Sequence, residues 1–189
     1  MKVELLDYTN NPADTIGKMA AICYDAKTDI NSNVKRASHC KDKGHLMTMR
    51  FAYATVNVSG ISRVCSHQLV RIAHAGILQE SQRYVAQSDL EFVIPDSITS
   101  LDKALQDRWL SHLEESQNIY DECLKSGVKK EDARYILSQS CTTQLNLCLN
   151  FQGWRDFLRN RTAKAAQWEI RDMAIEIEKL LHDIAPEIF

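Results

Sequence analysis

His67-Gln-Leu-Val-Arg71-Ile-Ala-His74-Ala-Gly-Ile-Leu-Gln79-Glu-Ser81-Gln-Arg83-Tyr84 opens as a helix and closes in a run of hydrogen-bonding side chains. Residues 79–83 are all polar and stand beside apolar sequence, a composition that a packed core rejects unless each group finds a partner. Ser81 and Arg83 bring a hydroxyl and a planar charged fork together, the chemistry that holds a phosphate. Gln68 and Arg71 are three apart and share one face of a helix. The stretch is read as a nucleotide site.

Upstream of it, Met49, Phe51, Tyr53, Thr55, Asn57 and Ser59 alternate with Arg50, Ala52, Ala54, Val56 and Val58. One face is bulky and the other small or β-branched, which predicts a strand from Thr48 that Gly60 ends. Ser62 then caps a helix carrying Val64, Leu69, Val70 and Ile72 into the polar cluster. Downstream, Leu90 to Pro95 predicts a second strand stopped by proline. Residues 1–8 predict an opening strand, and Asp14 is placed as the cap of a helix through Met19, Ala20 and Cys23. Residues 28–44 are polar enough for a short helix and a mobile loop.

The remainder predicts helix. Leu105, Trp109, Leu113, Ile119, Tyr120 and Leu124 mark one long element that Ser126-Gly127 ends. Glu131 to Cys148, residues 153–160 and Ala165 to Ile184 predict three more. Trp154, Phe157, Trp168 and Ile170 are assigned to the core. There is no repeat or linker, so residues 1–189 are expected to form a single domain. The class is α+β with helix in the majority.

The composition narrows the function. A chain of 189 residues can bury a full core, and 44% hydrophobic with 25% charged residues is ordinary for a soluble protein. A net charge of −2 argues against a protein that coats nucleic acid. The six cysteines are scattered without a Cys-x-x-Cys pair, as reduced thiols in a cytosol would be. No apolar run suits a signal peptide or a membrane span, so a cytoplasmic location and no membrane partner are expected.

His67 and His74 would share a helix face but lack two further ligands, so no metal site is expected. Cys40 and Cys65 have no neighbouring base that would make either a nucleophile. Arg134, taken alone, is read as a solvated surface arginine. Without a Gly-x-Gly-x-x-Gly or Walker-type loop, any nucleotide must be held by side chains.

Gly60-Ile-Ser-Arg63, His67-Gln-Leu-Val-Arg71, Gln79 and Ser81-Gln-Arg-Tyr84 together resemble the signature region of flavin-dependent thymidylate synthases. Asn150 through Arg161 to Ala166-Gln-Trp-Glu-Ile-Arg171 resembles that family's C-terminal signature. Leu5 and Ala21-Ile-Cys-Tyr24 fit its opening, so the similarity spans nearly the whole chain. The resemblance implies a helix-rich α+β subunit around a small antiparallel sheet, assembled as a homotetramer with active sites at subunit interfaces. It also implies methylation of dUMP to dTMP with methylenetetrahydrofolate, FAD and NADPH, and no attacking cysteine.

Matched position by position, the resemblance assigns Gln68, Arg71, Gln79, Ser81, Gln82, Arg83 and Arg134 to the nucleotide, with Ser81 and Arg83 near its phosphate. Arg161 matches the arginine that faces the uracil, where it can stabilise charge developing on the ring. His45, Arg71, His74, Asn150 and Asp156 fall on the flavin and folate side.

That side departs from the pattern. The family's Arg-His-Arg, seven residues, then Ser reads here Arg71-Ile72-Ala73, seven residues, then Ser81. Gly76 stands where serine is common, Gln152 replaces an arginine, Asp156 an asparagine and Ala165 a frequent histidine. Each lost contact to a charged group weakens binding by roughly 1.5–3 kcal/mol. Three functions therefore stand open. They are a working synthase, a same-fold enzyme with altered cofactor chemistry such as C5 hydroxymethylation of a pyrimidine nucleotide, and a non-catalytic nucleotide-binding homologue.

Overall fold

The computed structural model describes residues 1–88 and 90–189. In chain order the elements are β1 (Lys2–Tyr8), α1 (Pro12–Ala21), α2 (Ile30–Asp42), β2 (Tyr53–Ser62), α3 (Arg63–Leu69), β3 (Gly76–Gln79), α4 (Asp96–Thr99), α5 (Lys103–Lys125), α6 (Lys130–Ala133), β4 (Thr142–Asn150), α7 (Phe151–Arg161) and α8 (Trp168–Ile184). The four strands make one antiparallel sheet in the order β1-β2-β4-β3. The helix-rich α+β class expected from the sequence is the one found. The chain divides into two compact units. Unit 1 is Met1–Val58, Arg71–Leu78 and Asn146–Phe189, and unit 2 is Ser59–Val70 and Gln79–Leu145.

In unit 1 the alternation around Tyr53 sorts as its residue sizes dictate. Ala52, Ala54, Val56 and Val58 are all buried, whereas Phe51 and Tyr53 on the other face stay exposed. The strand starts later than expected because Leu46–Phe51 winds into a 3-10 turn first. Trp154 packs onto the small face and donates Nε1–H to the Ala54 carbonyl at 3.0 Å, so its one polar atom is satisfied inside the core. Ile170, Met173, Ile177 and Leu181 line the buried stripe of α8 at helical spacing. Trp168, expected in the core, lies at the start of that helix and stays exposed.

Two expectations for the N-terminal part of unit 1 are corrected. Asp14 does not cap α1. Asn11 holds the cap position in the left-handed region with Pro12 behind it, and Asp14 Oδ1 accepts from Asn33 Nδ2 at 2.8 Å. Residues 28–44 are mostly one regular helix, because the Asp29 side chain caps it by accepting from Ser32 N. That carboxyl is held below its ordinary range by the Ser32 hydrogen bonds. Helices α1 and α2 approach so closely at Gly17 that a Cβ there would lie 1.8 Å from the Asn33 carbonyl oxygen.

In unit 2, Ser62 caps α3 as expected, accepting from Cys65 N, but the helix stops at Leu69. His67 and His74 therefore share no helix face. Helix α5 is the long element foreseen, with Leu113, Ser116 and Tyr120 buried and Gly127 in the left-handed region just beyond its end. Leu105, Trp109 and Ile119 remain exposed. The strand expected at Leu90–Pro95 shrinks to a single antiparallel bridge between Phe92 and Cys141.

The helix expected over Glu131–Cys148 does not form. The short α6 gives way to β4, which continues from unit 2 residues into unit 1 residues. Thr143, Leu145, Leu147 and Leu149 are its buried positions, a period of two.

Candidate functional site

Within unit 1, the end of β4 and the start of α7 frame a cavity of about 640 Å³. Asn150 ends the strand and caps the helix, its Oδ1 accepting from Gly153 N at 2.8 Å. Gln152, Asp156 and Arg161 follow on α7 and line the cavity with Asn150. Gln152 Nε2 donates to Asp156 Oδ2 at 2.9 Å, and Arg159 Nη2 reaches Asp156 Oδ1 at 2.7 Å. Both carboxylate oxygens of Asp156 are thus engaged inside the helix. Gln152 Oε1 is buried without a partner among the described residues.

Arg71 and His74 line the same cavity from the segment that leads into β3. His74 takes φ 61, a left-handed conformation in which histidine is enriched. Arg50, from the 3-10 turn, joins them. The guanidinium groups of Arg50, Arg71 and Arg161 have no hydrogen-bond or ion-pair partner among the described residues. Three free cations face one already satisfied carboxylate, so the cavity favours a ligand with several negative charges. Ile72, Ala73, Leu149 and Phe157 supply apolar wall.

Unit 2 gathers a second group. Arg63, His67, Gln82, Arg134 and Cys141 line a cavity of about 240 Å³. Arg83 Nε meets Glu131 Oε2 at 2.9 Å, and Arg134 Nε donates to the Glu131 carbonyl oxygen at 3.1 Å. Glu131 therefore meets two of the arginines that the resemblance places on the nucleotide, Arg83 through its carboxylate and Arg134 through its backbone carbonyl. Ser81 Oγ accepts from Arg83 N at 3.3 Å, and its carbonyl accepts from Tyr84 N and Val85 N, fixing the cluster as a tight turn. Gln82 Nε2 lies 3.7 Å from Cys141 Sγ. Gln79 Nε2 is engaged by Ser66 Oγ at 2.9 Å and Thr143 Oγ1 at 3.3 Å, which leaves its carbonyl oxygen for other partners.

Arg63 deserves inclusion on geometry. Its Nη2 donates to the Glu80 carbonyl at 3.0 Å while its Nε is buried without a hydrogen-bond partner among the described residues. Burial is the main cause that lowers its pKa. Burial also pushes the Cys141 thiol up, which keeps it protonated and a poor nucleophile.

Gln68 is half-buried in α3 and His45 is exposed before the 3-10 turn; neither lines either cavity. Of the cavity residues, Arg50 was missed because the strand-like alternation hid it. Arg63 belongs to the signature stretch Gly60-Ile-Ser-Arg63, and nothing in the sequence shows that its Nε is buried.

A family model described as "Thymidylate synthase complementing protein" matches residues 4–187. The chain belongs to that family. Among its relatives, the protein named flavin-dependent thymidylate synthase from Pyrococcus furiosus is 34% identical, over 98% of this chain and 79% of the relative. The protein of that name from Thermococcus onnurineus is 36% identical over the same shares. That from Clostridium tetani is 30% identical over 100% of this chain and 85% of its own. Both signature blocks that carry the resemblance lie inside the matched residues 4–187. Among the described residues of this family member, no group of three or more His, Cys, Asp or Glu is placed to hold a metal, and no helix is long and apolar enough to cross a membrane.

Proposed function

We propose that this enzyme methylates dUMP to dTMP, with methylenetetrahydrofolate as one-carbon donor and FAD, reduced by NADPH, as the reductant. The shared name of the relatives supports this reading. The observation that carries it is the cavity in which Arg50, Arg71 and Arg161 stand unpaired among the described residues. A flavin dinucleotide brings two phosphates and an apolar ring system, and such a cavity offers both the cations and the wall they need.

Bound there, FAD would supply the reducing electrons. The chain's own residues bind, orient and stabilise. Arg50 and Arg71 compensate phosphate charge. Asn150, whose Oδ1 is committed to the helix cap, retains Nδ2–H to donate. Asp156 holds Gln152 in place, so the buried Gln152 Oε1 is fixed as an acceptor. His45 and His74 are assigned to the flavin and folate end.

On the nucleotide, Ser81 and Arg83 are assigned to the phosphate, and Gln68, Gln79, Gln82 and Arg134 to the rest of the nucleotide. Arg161 stabilises negative charge that develops on the uracil carbonyl oxygens. No cysteine is needed as nucleophile, and the protonated, buried Cys141 agrees with that.

A homotetramer with sites at subunit interfaces, a cytoplasmic location and a single functional domain over residues 1–189 complete the reading. The single domain is supported by β2 and β4, each of which runs unbroken through residues of both units. The test is a visible absorption spectrum of the purified protein, followed by NADPH oxidation with and without dUMP. A flavin spectrum and stimulation by dUMP are expected. Colourless protein that takes up no added FAD would overturn the cofactor assignment.

A further inference from the structure

Glu80 stands between Gln79 and Ser81, and each of its backbone and side-chain polar groups is engaged within unit 2. Its N–H donates to the Gln144 carbonyl at 3.0 Å, continuing the pairing of β3 with β4. Its carbonyl accepts from Arg63 Nη2 at 3.0 Å. Carboxylate Oε2 accepts from Gln144 Nε2 at 2.9 Å, and Oε1 accepts from Gln87 Nε2 at 3.3 Å. A carboxylate only accepts and an amide NH2 only donates, so the three side chains are matched.

The contact with Gln87 closes a loop over residues 81–86, of which Arg83, Tyr84, Val85 and Ala86 are exposed. The far end is anchored in turn. Gln87 is 3% exposed, its N–H donates to Tyr120 Oη at 3.1 Å, and its carbonyl accepts from Gln117 Nε2 at 2.8 Å, both partners lying on α5. Inside the loop, the Ser81 carbonyl accepts from Tyr84 N and Val85 N. The loop's other ties are weaker. Gln82 makes a long contact to Cys141 Sγ, while Arg83 with Glu131 and Lys130 Nζ with the Tyr84 carbonyl are exposed contacts.

We propose that Glu80, clasped to Gln87, is a positioning residue for the nucleotide. It holds the loop in the conformation from which Ser81, Gln82 and Arg83 reach one ligand. This role rests on the nucleotide reading above. Both carboxylate oxygens are already taken up by protein amides, so Glu80 acts through its neighbours. A loop that is closed beforehand loses less freedom when a nucleotide settles on it, so the clasp acts on binding and not on the chemical step.

The test is Glu80→Gln in the full chain, read by hydrogen–deuterium exchange without nucleotide, by isothermal titration of the FAD-supplied chain with dUMP, and by titration with FAD. The substitution turns one of the two acceptors into a donor that faces an amide donor. Faster exchange confined to residues 81–87 is expected, with dUMP affinity falling about fivefold or more and FAD affinity unchanged. Gln144→Met, at an exposed position of β4, removes the brace on Oε2. It should give a smaller change of the same sign, and it decides the matter should Glu80→Gln fail to fold. Unchanged exchange over residues 81–87, or unchanged dUMP affinity, in the folded variant overturns the proposal. So does a fall in FAD affinity equal to that in dUMP affinity, which marks a merely structural residue. A parent chain that binds no dUMP overturns the nucleotide reading and the positioning role with it.

Discussion

Arg83 Nε lies 2.9 Å from Glu131 Oε2, so the cation assigned to a phosphate is already paired within the protein. Both side chains are substantially exposed, and such a pair contributes about 0–1 kcal/mol. A phosphate that takes the guanidinium fork in two charge-assisted bonds outcompetes it. Glu131→Gln should therefore tighten dUMP binding by up to about fivefold, because the competing charge is gone. Arg83→Ala should weaken it about tenfold or more. Isothermal titration of both variants checks the pair, and a Glu131→Gln variant that binds dUMP markedly less well would contradict it.

Asn150 has two separable jobs. Its Oδ1 caps α7, and its Nδ2–H is assigned to the flavin. Asn150→Ala should lower unfolding free energy by about 1 kcal/mol and also weaken FAD. Asn150→Asp keeps a capping oxygen but loses the donor, so it should keep stability and still weaken FAD. Denaturant unfolding beside flavin titration separates the two roles. Equal destabilisation by both substitutions would count against the cap.

Arg50 is the cavity cation that the strand-like alternation concealed. If it meets a cofactor phosphate, Arg50→Ala should reduce FAD affinity about tenfold or more while leaving the melting temperature nearly unchanged, since Arg50 has no protein partner among the described residues. Fluorescence quenching of added FAD measures this. An unchanged affinity would place Arg50 outside the flavin site.

Gly17 is where α1 and α2 come closest, and a Cβ there would sit 1.8 Å from the Asn33 carbonyl oxygen. Backbone cannot yield as a flexible side chain does. Gly17→Ala should cost about 3 kcal/mol or leave the protein unfolded. A melting temperature within a few degrees of the parent would show that the helices separate easily.

Cys141 gives a pH signature. Burial raises its thiol pKa in the fold, so the neutral form is favoured there relative to the unfolded chain. The corresponding stability is complete below the unfolded thiol pKa, and it is lost as pH rises from there through the higher folded value. Unfolding free energy should therefore fall through the alkaline range above about pH 8.5. Cys141→Ala should fall less steeply over the same range. Identical slopes for parent and variant would contradict the assignment.

The parts that could be read from the sequence were those whose pattern had one meaning. The Ala52–Val58 alternation, the long α5 and the buried stripe of α8 each matched a single period. Strand β4 misled because Leu145 and Leu149 are four apart and suit a helix face as well as a strand face. The intervening Asn146, Leu147 and Cys148 carry no β-branched signal. Its burial as a strand comes from its neighbours in the sheet, which no local window contains. Likewise Ser81, Arg83 and Arg161 stand in the two signature blocks, whereas Arg134 lies outside both and reads alone as a surface arginine. That Glu131 would meet Arg83 depends on a contact between residues far apart in sequence.

The most direct measurement is mass spectrometry of the nucleotide after incubating the purified protein with dUMP, methylenetetrahydrofolate, FAD and NADPH. The account predicts dTMP, formed only when flavin and folate are both present and lost in Arg161→Ala. Recovery of a hydroxymethylated nucleotide, or of unchanged dUMP from folded, flavin-loaded protein, would contradict it.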